Sequence, residues 1–529
     1  MYSIGLVKMQ QSIYKYSGCF FLHQTIIMNA ESKKQRSISA YSDFLNTSLD
    51  ALIQKCLDNK PESVVLSLFH DVAKSVPAYK NFLAERGIEP NSIQTFEDFQ
   101  TLPLITKENY LQPSPLSALC RQGQIDTCDL IAVSSGSTGK PTFWPRFFTD
   151  ELQIAIRFEQ IFHDSFAADK KRTLAVICFS LGTWVGGMYT ASCCRYLASK
   201  GYPITLITPG NNKEEILRVV GEIGSNFEQI VLLGYPPFLK DVIDTGISRG
   251  IEWQQDRIKL VMAGEVFSEE WRDLVGERIG SQSPCYDSAS LYGTADAGVL
   301  GNETPLSICI RRFLAANPAA ARTLFGESRL PTLVQYDPVA RFFEVQDGVL
   351  SFSGDNGIPL VRYNISDNGG IITYNAMLEF LAGYGFDPLA ELHNDRGART
   401  LPFVYVFGRS NFTVSYFGAN IYPENVTVGL EQPEIQSEVT GKFVMQVKED
   451  ADKNRFLSIV VELAPGITDN EVNPEAIASN ILTQLLRLNS EFSNYVPSQY
   501  QMPQVVVAPT GDSEYFPVGV KHRYTRPNR

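Results

Sequence analysis

The alternation of short apolar runs with amphipathic stretches constrains the fold of this chain more than any other feature. From Leu130 onward the chain carries the β-rich runs LIAVS, TLAVICFS, PITLI, QIVLLG and IKLVMAG, separated by stretches of helical periodicity such as 214–223 and 269–279. Strands that alternate with helices form βαβ units and largely parallel sheets. The sequence therefore predicts an α/β fold, in which ligands bind beyond the carboxyl ends of the strands.

The length of the chain and the changes of pattern along it predict more than one domain. A chain of 529 residues exceeds the size at which one hydrophobic core stops growing. Near the end, one apolar stripe at helical spacing runs through Ile477, Ile481, Leu485, Leu488 and Phe492. We expect a poorly ordered N-terminal extension (1–38), a large domain (39–407) and a small, mobile α+β C-terminal domain (408–529).

Bulk composition excludes several classes of function. The formal net charge of −12 argues against a nucleic-acid partner, because phosphate backbones are bound by clustered Lys and Arg. The nine cysteines contain no C-x-x-C pair, and the five histidines show no metal-ligand spacing, so neither a disulfide framework nor a zinc site is indicated. No apolar stretch reaches the length of about 18 residues that suggests a membrane span. We expect a cytoplasmic protein that does not bind a membrane.

The segment VSSGSTGKPTFWPR predicts an anion-binding loop. It holds Ser134, Ser135, Gly136, Ser137, Thr138, Gly139 and Lys140. Backbone N–H groups and hydroxyls in such a loop converge on an anion, and the lysine balances its charge. The loop is not a Walker A motif, because Ser134 stands where that motif needs Gly and Pro141 stands where it needs Ser or Thr. Pro141 favours an extended chain after the loop instead of a helix, and the alternative for the cluster is a plain surface turn.

A second polar segment follows another predicted strand. Gly264 and Glu265 come directly after KLVMA. The first loop follows LIAVS in the same way, and carboxyl ends of parallel strands meet at one edge of a sheet. We therefore expect both segments at the ligand-binding edge.

The order of several motifs along the chain resembles that of adenylate-forming enzymes. The motifs are SSGSTGKP (134–141), GE (264–265), LYGTAD (291–296), LVRYNISDNG (360–369), GR and GANIYP (408–423) and GVKHR (519–523). The match spans about residues 95–525 and is most similar to the phenylacetate-CoA ligase branch of the acyl-CoA synthetase and peptide-synthetase adenylation superfamily. The resemblance implies that ATP and a small-molecule carboxylic acid form an acyl-adenylate and pyrophosphate, and that a thiol then displaces AMP.

The resemblance also implies roles for individual residues around ATP. The loop 134–140 would bind the β- and γ-phosphates. In LYGTAD, Tyr292 would stack on adenine beside Gly293 and Thr294, and Asp296 would face Mg²⁺ and the α-phosphate. A carboxylate suits Mg²⁺, which prefers oxygen ligands.

Three further residues complete the implied nucleotide site. Asp367 would accept hydrogen bonds from the ribose hydroxyls, and Arg409 would contact ribose or phosphate. Lys521 would be the mobile lysine that the small domain inserts between the substrate carboxylate and the α-phosphate. Each residue also has an interpretation without a function in catalysis. Asp367 would then form a turn, Arg409 would be a surface arginine, and Lys521 would belong to a solvated basic tail.

The acyl pocket is implied between FSLGTWVGG (179–187) and the corner around Tyr235. Its expected walls include Trp184, Gly186, Gly187 and Tyr235. Trp184 is compatible with contact to an aromatic or aliphatic acid. It is equally compatible with a place in the hydrophobic core.

Several positions depart from the pattern of the family. Asp296 replaces a usual glutamate, Ala295 a usual threonine, and Asn411-Phe412 a usual acidic pair after the hinge glycine. Phe417 stands where relatives often carry a basic residue, although Gly418, which lets a pantetheine arm pass, is retained. Coenzyme A is the first choice of acceptor; the phosphopantetheine of an acyl carrier protein, an amine, a homodimer and a non-catalytic nucleotide-binding relative stay open.

Overall fold

The computed structural model describes seven stretches of the chain: 30–134, 142–253, 257–326, 330–392, 396–409, 413–517 and 523–526. The strands are β1 (Leu130–Ser134), β2 (Thr142–Arg146), β3 (Thr173–Ile177), β4 (Ile204–Ile207), β5 (Gln229–Gly234), β6 (Ile258–Ala263), β7 (Ser288–Thr294), β8 (Gly298–Asn302), β9 (Thr332–Gln335), β10 (Phe342–Gln346), β11 (Val349–Gly354), β12 (Leu360–Ile372), β13 (Phe403–Arg409), β14 (Val414–Tyr416), β15 (Ala419–Ile421), β16 (Val439–Glu449), β17 (Arg455–Leu463) and β18 (Gln504–Ala508).

The helices of the described ranges surround these strands. They are α1 (Ala30–Asn46), α2 (Leu49–Leu57), α3 (Pro61–Ser75), α4 (Pro77–Ala84), α5 (Phe96–Gln100), α6 (Leu116–Leu119), α7 (Phe148–Gln160), α8 (Val185–Ser199), α9 (Lys213–Ile223), α10 (Pro236–Ser248), α11 (Glu269–Ile279), α12 (Pro284–Asp287), α13 (Pro305–Ala316), α14 (Pro318–Phe325), α15 (Tyr374–Ala382), α16 (Pro423–Leu430), α17 (Pro474–Leu488) and α18 (Ser490–Tyr495). Short π-helical turns cover Lys107–Leu111 and Ile161–Ser165, and 3₁₀ turns cover Pro90–Ser92, Arg121–Gly123, Gly224–Asn226, Asp469–Glu471 and Ser498–Tyr500.

One mixed sheet of eleven strands lies at the centre of the large domain. Its order is β10-β11-β12-β13-β9-β8-β7-β6-β5-β3-β4. The pairs β4-β3, β3-β5, β5-β6 and β6-β7 are parallel, as the βαβ pattern predicts. The other half is antiparallel, because its connections include tight hairpins. Between β10 and β11, Asp347 and Gly348 have φ values of 52° and 76°, which suits the two-residue turn of a hairpin. The predicted α/β class is confirmed.

The run LIAVS does not join this sheet. It forms β1, which pairs antiparallel with β2 from Leu130↔Arg146 to Ser134↔Thr142. The chain is therefore extended after Pro141, as expected, but the loop 135–141 connects a hairpin and does not leave a parallel strand. Pairing partners are set by tertiary packing, so an isolated apolar run does not reveal them.

A small α+β domain follows. β16, β17 and β18 form one sheet, in which β17 and β18 are parallel, and β14 and β15 form a hairpin. The helix predicted through Phe492 is two helices, because the chain is extended at Asn489 (φ −119°, ψ 96°). The Asn489 side chain accepts a hydrogen bond from the N–H of Phe492 and so caps the second helix.

Two elements run across the predicted domain limits. Helix α1 begins at Ala30, so residues 30–38, expected in the N-terminal extension, are helical; AESKKQRS is rich in good helix formers. At the other limit, β13 extends to Arg409, which pairs with Asp367 in the large sheet. The expected boundary at 407/408 thus falls inside the last strand of the large domain.

None of the helices in the described ranges combines the length and apolar composition that a membrane span requires. Of the nine cysteines, the eight that lie in these ranges form no disulfide.

Candidate active site

A cavity of about 300 Å³ lies beyond the carboxyl ends of β3, β5, β6 and β7. Phe179, Tyr235, Gly264 and Tyr292 line it from these four ends, and Asp367 lines it from β12. The small domain contributes Ser415, Gly418, Asn420, Tyr422, Glu491 and Tyr495. A second cavity of about 450 Å³, between α1–α3 and the sheet, is lined by none of the predicted site residues.

Tyr292 and Asp367 meet in the first cavity. The Tyr292 hydroxyl donates a hydrogen bond to Asp367 Oδ2 at 2.7 Å, although the residues are 75 positions apart. Tyr292 is partly buried at the end of β7, whereas Asp367 is only 5% exposed. An aromatic ring and a carboxylate acceptor therefore line the cavity side by side.

An irregularity in β12 accompanies the position of Asp367. The register against β11 shifts between the pairs Leu350↔Asp367 and Ser351↔Asn364. Ser366 has φ 62°, a conformation uncommon for a residue other than glycine, and its N–H is bound by the Asn364 side chain at 2.8 Å. Such bulges re-aim side chains next to active sites.

Asp296 is held in a polar corner of the cavity. Its Oδ2 accepts a hydrogen bond from the Tyr363 hydroxyl at 2.5 Å and lies 3.6 Å from Lys107 Nζ. The Arg146 side chain binds the backbone of the same turn, donating to the carbonyl oxygens of Ala295 and Asp296 at 2.5 and 3.0 Å. The corner therefore presents a fixed carboxylate beside an amino group.

This corner fits a Mg²⁺ ion only if the ion arrives with a nucleotide. Within the described ranges, no cluster of three or more His, Cys, Asp or Glu could hold a metal ion. Mg²⁺ commonly keeps several waters and binds one or two carboxylates together with substrate phosphates. Asp296 supplies one such carboxylate, buried at 4% exposure and facing the cavity.

Gly264 and Glu265 face the small domain. The Gly418 N–H donates to Glu265 Oε1 at 2.7 Å, and Arg455 forms an ion pair with Glu265 Oε2. The Ser415 hydroxyl donates to the Gly264 carbonyl at 3.0 Å. The carboxylate predicted to serve the nucleotide is thus engaged by the C-terminal domain. Burial raises the pKa of Glu265, and Arg455 acts in the opposite direction.

The end of the cavity that is predicted to hold the acyl group is aromatic. Phe179 and Tyr235 pack edge to face at 5.0 Å, and Gly186 lies beside both rings. Phe158, Val185, Tyr189 and Ala263 extend this lining.

Trp184 and Gly187 do not line the cavity. The Trp184 ring packs edge to face on Tyr495 of the small domain, with centroids 4.9 Å apart. Gly187 is buried against the backbone of Ser180, where an added Cβ would lie 2.3 Å from the carbonyl oxygen. Of the four predicted walls, Gly186 and Tyr235 therefore face the cavity.

Some predicted residues lie outside the described ranges. They are Ser135, Gly136, Ser137, Thr138, Gly139, Lys140 and Lys521. Ser134 ends β1, lines the cavity and accepts a hydrogen bond from the Trp144 indole at 2.9 Å. Gly293 and Thr294 also line the cavity. Arg409 is described in its backbone, opposite Asp367.

Sequence reasoning missed Lys107, Tyr363 as an Asp296 partner, and Arg455. Lys107 begins a π-helical turn that Thr106 and Asn109 cap reciprocally, a local signal for a helical start but not for a site. Arg455 begins a strand and carries no motif. Tyr363 lies inside LVRYNISD, so its place in a motif was the available signal.

Phe417 shows why a basic residue is missing from the position before Gly418. Its ring is 1% exposed and stacks on Tyr500 at 5.0 Å. It is a core residue of the small domain, where an unpaired charge would be costly.

No protein-family model matches the sequence. The chain is 22% identical over 395 residues to the phenylacetate-coenzyme A ligase of Thermus thermophilus, covering 73% of this chain and 78% of that protein. Among solved structures, the chain is similar to a 2-hydroxyisobutyryl-CoA ligase in complex with 2-HIB-AMP and CoA in the thioesterification state. The TM-score is 0.58 at 13% identity, covering 96% of this chain and 94% of that one.

The chain has the fold of the adenylate-forming superfamily, and the resemblance inferred from its motifs is confirmed. Its sequence is similar to that of a phenylacetate-coenzyme A ligase.

Proposed function

We propose that this protein activates a carboxylic acid with ATP, through an acyl-adenylate, and transfers the acyl group to the thiol of coenzyme A. One observation carries the proposal: Tyr292, Asp296 and Asp367 line a single cavity at the carboxyl ends of the strands. The chemistry of its lining matches a nucleotide, with an aromatic face, a ribose acceptor and a carboxylate beside a cation. The similarity to a coenzyme A ligase over most of both chains supports it.

In the first step, an oxygen of the acid attacks the α-phosphorus of ATP and pyrophosphate leaves. Asp367 accepts from the ribose hydroxyls while Tyr292 presents its ring to the adenine. Lys107 balances negative charge near Asp296. We assign Lys140 to the β- and γ-phosphates, and Lys521 to the substrate carboxylate and the α-phosphate. Bound Mg²⁺ would neutralise phosphate charge, with Asp296 as its protein ligand. Fixed charges of this kind stabilise a transition state because they need no reorganisation.

In the second step, a thiol sulfur attacks the acyl carbonyl carbon and AMP leaves. The small domain lines the cavity with Gly418 and Tyr495, so the acceptor is expected to enter between the two domains. Coenzyme A is the proposed acceptor. The phosphopantetheine of a carrier protein and an amine are the alternatives that the acceptor test separates.

The lining of the acyl end favours an apolar acid. Phe158, Phe179, Val185 and Tyr235 surround it, so a charged second group on the acid would be desolvated without a partner. We therefore expect arylacetic, aryl and branched aliphatic acids to be better substrates than dicarboxylic acids.

Pyrophosphate release from ATP and Mg²⁺ tests the proposal. The full chain is incubated with a panel of these acids, with and without coenzyme A, and the thioester is detected by mass spectrometry. We expect acid-dependent release and, on addition of coenzyme A, loss of acyl-AMP with gain of acyl-CoA.

Two results would contradict the assignment in different ways. Nucleotide binding without release for any acid would identify a non-catalytic relative. An acyl-AMP that persists with coenzyme A, but is consumed by an amine or a loaded carrier protein, would replace the acceptor and keep the first step.

A further inference from the structure

Glu265 is the point where the small domain is fixed to the rim of the cavity. One carboxylate oxygen accepts the Gly418 N–H at 2.7 Å and the other forms the ion pair with Arg455. Arg455 also donates to the carbonyl oxygen of Val266 at 2.5 Å. The segment after β6 is therefore bound by two separate parts of the small domain, the β14–β15 loop and the start of β17.

These contacts place the small domain within van der Waals distance of the acyl end. The Tyr235 ring lies between Gly264 and Gly418, and a Cβ added at Gly418 would be 2.1 Å from Tyr235 Cε1. Tyr495 stacks on the same ring with centroids 5.2 Å apart. A small displacement of the Gly418 loop would thus change the shape of the cavity wall.

The ion pair is buried, so it cannot loosen gradually. The side chains of Glu265 and Arg455 are 1% and 10% exposed. Removing one partner of a buried pair leaves an uncompensated charge, which is strongly destabilising. The pair therefore favours the domain arrangement that the structure shows.

We infer that Arg455 is a positioning residue for the thiol-transfer step: through Glu265 it holds the Gly418 loop against Tyr235 at the mouth by which the acceptor reaches the acyl group. The inference rests on the proposed function for the step it names, but the positioning itself is a property of the fold. It adds a residue to those of the motifs that carry the family resemblance, since Arg455, unlike Glu265 and Gly418, belongs to none of them.

Other ion pairs between the domains lie away from the cavity. Arg278 and Lys240 of the large domain both pair with Asp452 of the small domain. The Asp452 side chain is 55% exposed, so these pairs contribute little. Arg278 is therefore the appropriate comparison for Arg455: both arginines bridge the domains, but only Arg455 reaches the cavity rim.

Hydrogen exchange of the full chain tests the positioning without any substrate. The variants are R455M, R455K, R278M and R487M, the last at an exposed small-domain arginine. We expect R455M to raise the exchange rate of backbone amides in 413–422 by about 10-fold or more, the scale of losing a buried charge pair. R455K is expected to restore most of the protection, and R278M and R487M to leave it unchanged.

Separate measurements of adenylation and of thiol transfer then test the step to which Arg455 is assigned. With an acid from the active panel, ATP–pyrophosphate exchange measures adenylation, and single-turnover decay of preformed acyl-AMP on adding coenzyme A measures transfer. R455M is expected to slow transfer by about 10- to 100-fold while exchange changes less than about threefold. R455K is expected to recover transfer, which a general loss of stability would not produce.

A pH profile gives an independent signature. Burial raises the pKa of Glu265, and protonation of this carboxylate removes the charge that Arg455 pairs with. The other charged or titratable groups near Glu265 are Glu449, Tyr235 and Tyr416. In the wild type, transfer should fall on acidification with a transition that E265Q lacks.

Unchanged exchange in 413–422 of R455M would overturn the inference whatever the activity. Equal slowing of both half-reactions would reduce Arg455 to a general structural residue. Failure of the wild type to adenylate any acid would contradict the proposed function alone, because the hydrogen-exchange comparison stands without it.

Discussion

Asp367 and Tyr292 are each held in place by the other. Asp367 is 5% exposed, and its Oδ2 accepts a hydrogen bond from the Tyr292 hydroxyl at 2.7 Å. We predict that D367A lowers kcat/KM for ATP by about 10- to 100-fold, since hydrogen bonds to a charged group contribute about 1.5–3 kcal/mol. A titration of ATP at saturating acid measures this effect.

The control is Y292F, which keeps the ring and removes only the hydroxyl. We expect a smaller loss than in D367A, because the Asp367 carboxylate, the proposed acceptor for the ribose hydroxyls, stays in place. If Y292F were as damaging as D367A, the role of the ring as an adenine platform would need revision.

Lys107 is the residue-scale finding that the motifs did not contain. Its amino group lies 3.6 Å from Asp296 Oδ2 inside the cavity. We predict that K107M slows adenylation by about 10²-fold, the scale of losing one pre-placed group at a developing charge, while ATP still binds. Pyrophosphate exchange and calorimetric titration of ATP separate the two effects.

K80M, at an exposed lysine of α4, is the matched control, and its adenylation rate and ATP binding should equal those of the wild type. K107R should retain part of the activity, because it keeps the charge. Full activity in K107M would remove Lys107 from the mechanism.

At the scale of elements, the start of α7 carries a buried acid with a shifted pKa. Asp150 accepts hydrogen bonds from the N–H groups of Phe147 and Gly357 at 3.0 and 2.9 Å. Burial nevertheless raises the pKa of Asp150 from 3.8 to about 6. The folded state therefore binds this proton more strongly than the unfolded state does.

The sign of the pH dependence follows from this difference. The stabilising contribution of the Asp150 proton is complete below pH 3.8 and is lost as pH rises through about 6. We predict that D150N, whose amide oxygen still accepts both N–H groups, gains stability relative to the wild type across that range, by about 3 kcal/mol in total.

Thermal midpoints of the two proteins between pH 4 and 7 measure the change. The relevant quantity is the difference between them, in which other titrating groups cancel. A difference that is constant with pH would show that Asp150 is ionised in the fold at every pH tested.

At the scale of the whole molecule, a matched pair of glycines distinguishes the effect of domain docking from the effect of backbone strain. Gly418 and Gly441 both lie in the small domain with φ near 80°, at 82° and 81°. An added Cβ at Gly418 meets Tyr235 of the large domain, whereas at Gly441 it meets nothing within 4 Å. Alanine costs similar backbone strain at both positions, about 1–2 kcal/mol.

We predict that only G418A impairs thiol transfer. Displacing a loop by about 1 Å is worth up to about 10²-fold in rate, so acyl-AMP decay with coenzyme A should slow by at least 10-fold. G441A should match the wild type in that assay while losing a similar amount of thermal stability. Equal rates in the two variants would mean that the Tyr235 contact does not govern the step.

Much of the fold could be predicted from local signals. The runs that form β3, β5 and β6 are continuous apolar segments bounded by turns, and their periodicity differs from that of α9 and α11. Asp347-Gly348 carries a hairpin signal, and it forms the turn between the antiparallel strands β10 and β11. The pairing of β1 with β2 could not be predicted, because strand partners depend on contacts between distant segments.

The residues of the site divide in the same way, into those that local motifs predicted and those that only contacts between distant segments revealed. Tyr292, Asp296 and Asp367 carry their chemistry in motifs, and the structure brings all three to one cavity. Trp184 packs on the small domain instead, and Glu265 lines the cavity but is engaged by the small domain. An aromatic ring or a carboxylate near a strand end fits either role. Lys107 and Arg455 come from segments with no distinguishing pattern.

The sequence by itself determined the element types, the class of fold and the chemical groups offered to a nucleotide, since these follow from periodicity and side-chain type along a short stretch. Only the tertiary structure decided which groups share a cavity and which hold the domains together. Those choices depend on burial and on pairs such as Glu265 with Arg455, separated by 190 residues. The free energy of such a contact arises from desolvation in the folded state, and neither residue carries it alone.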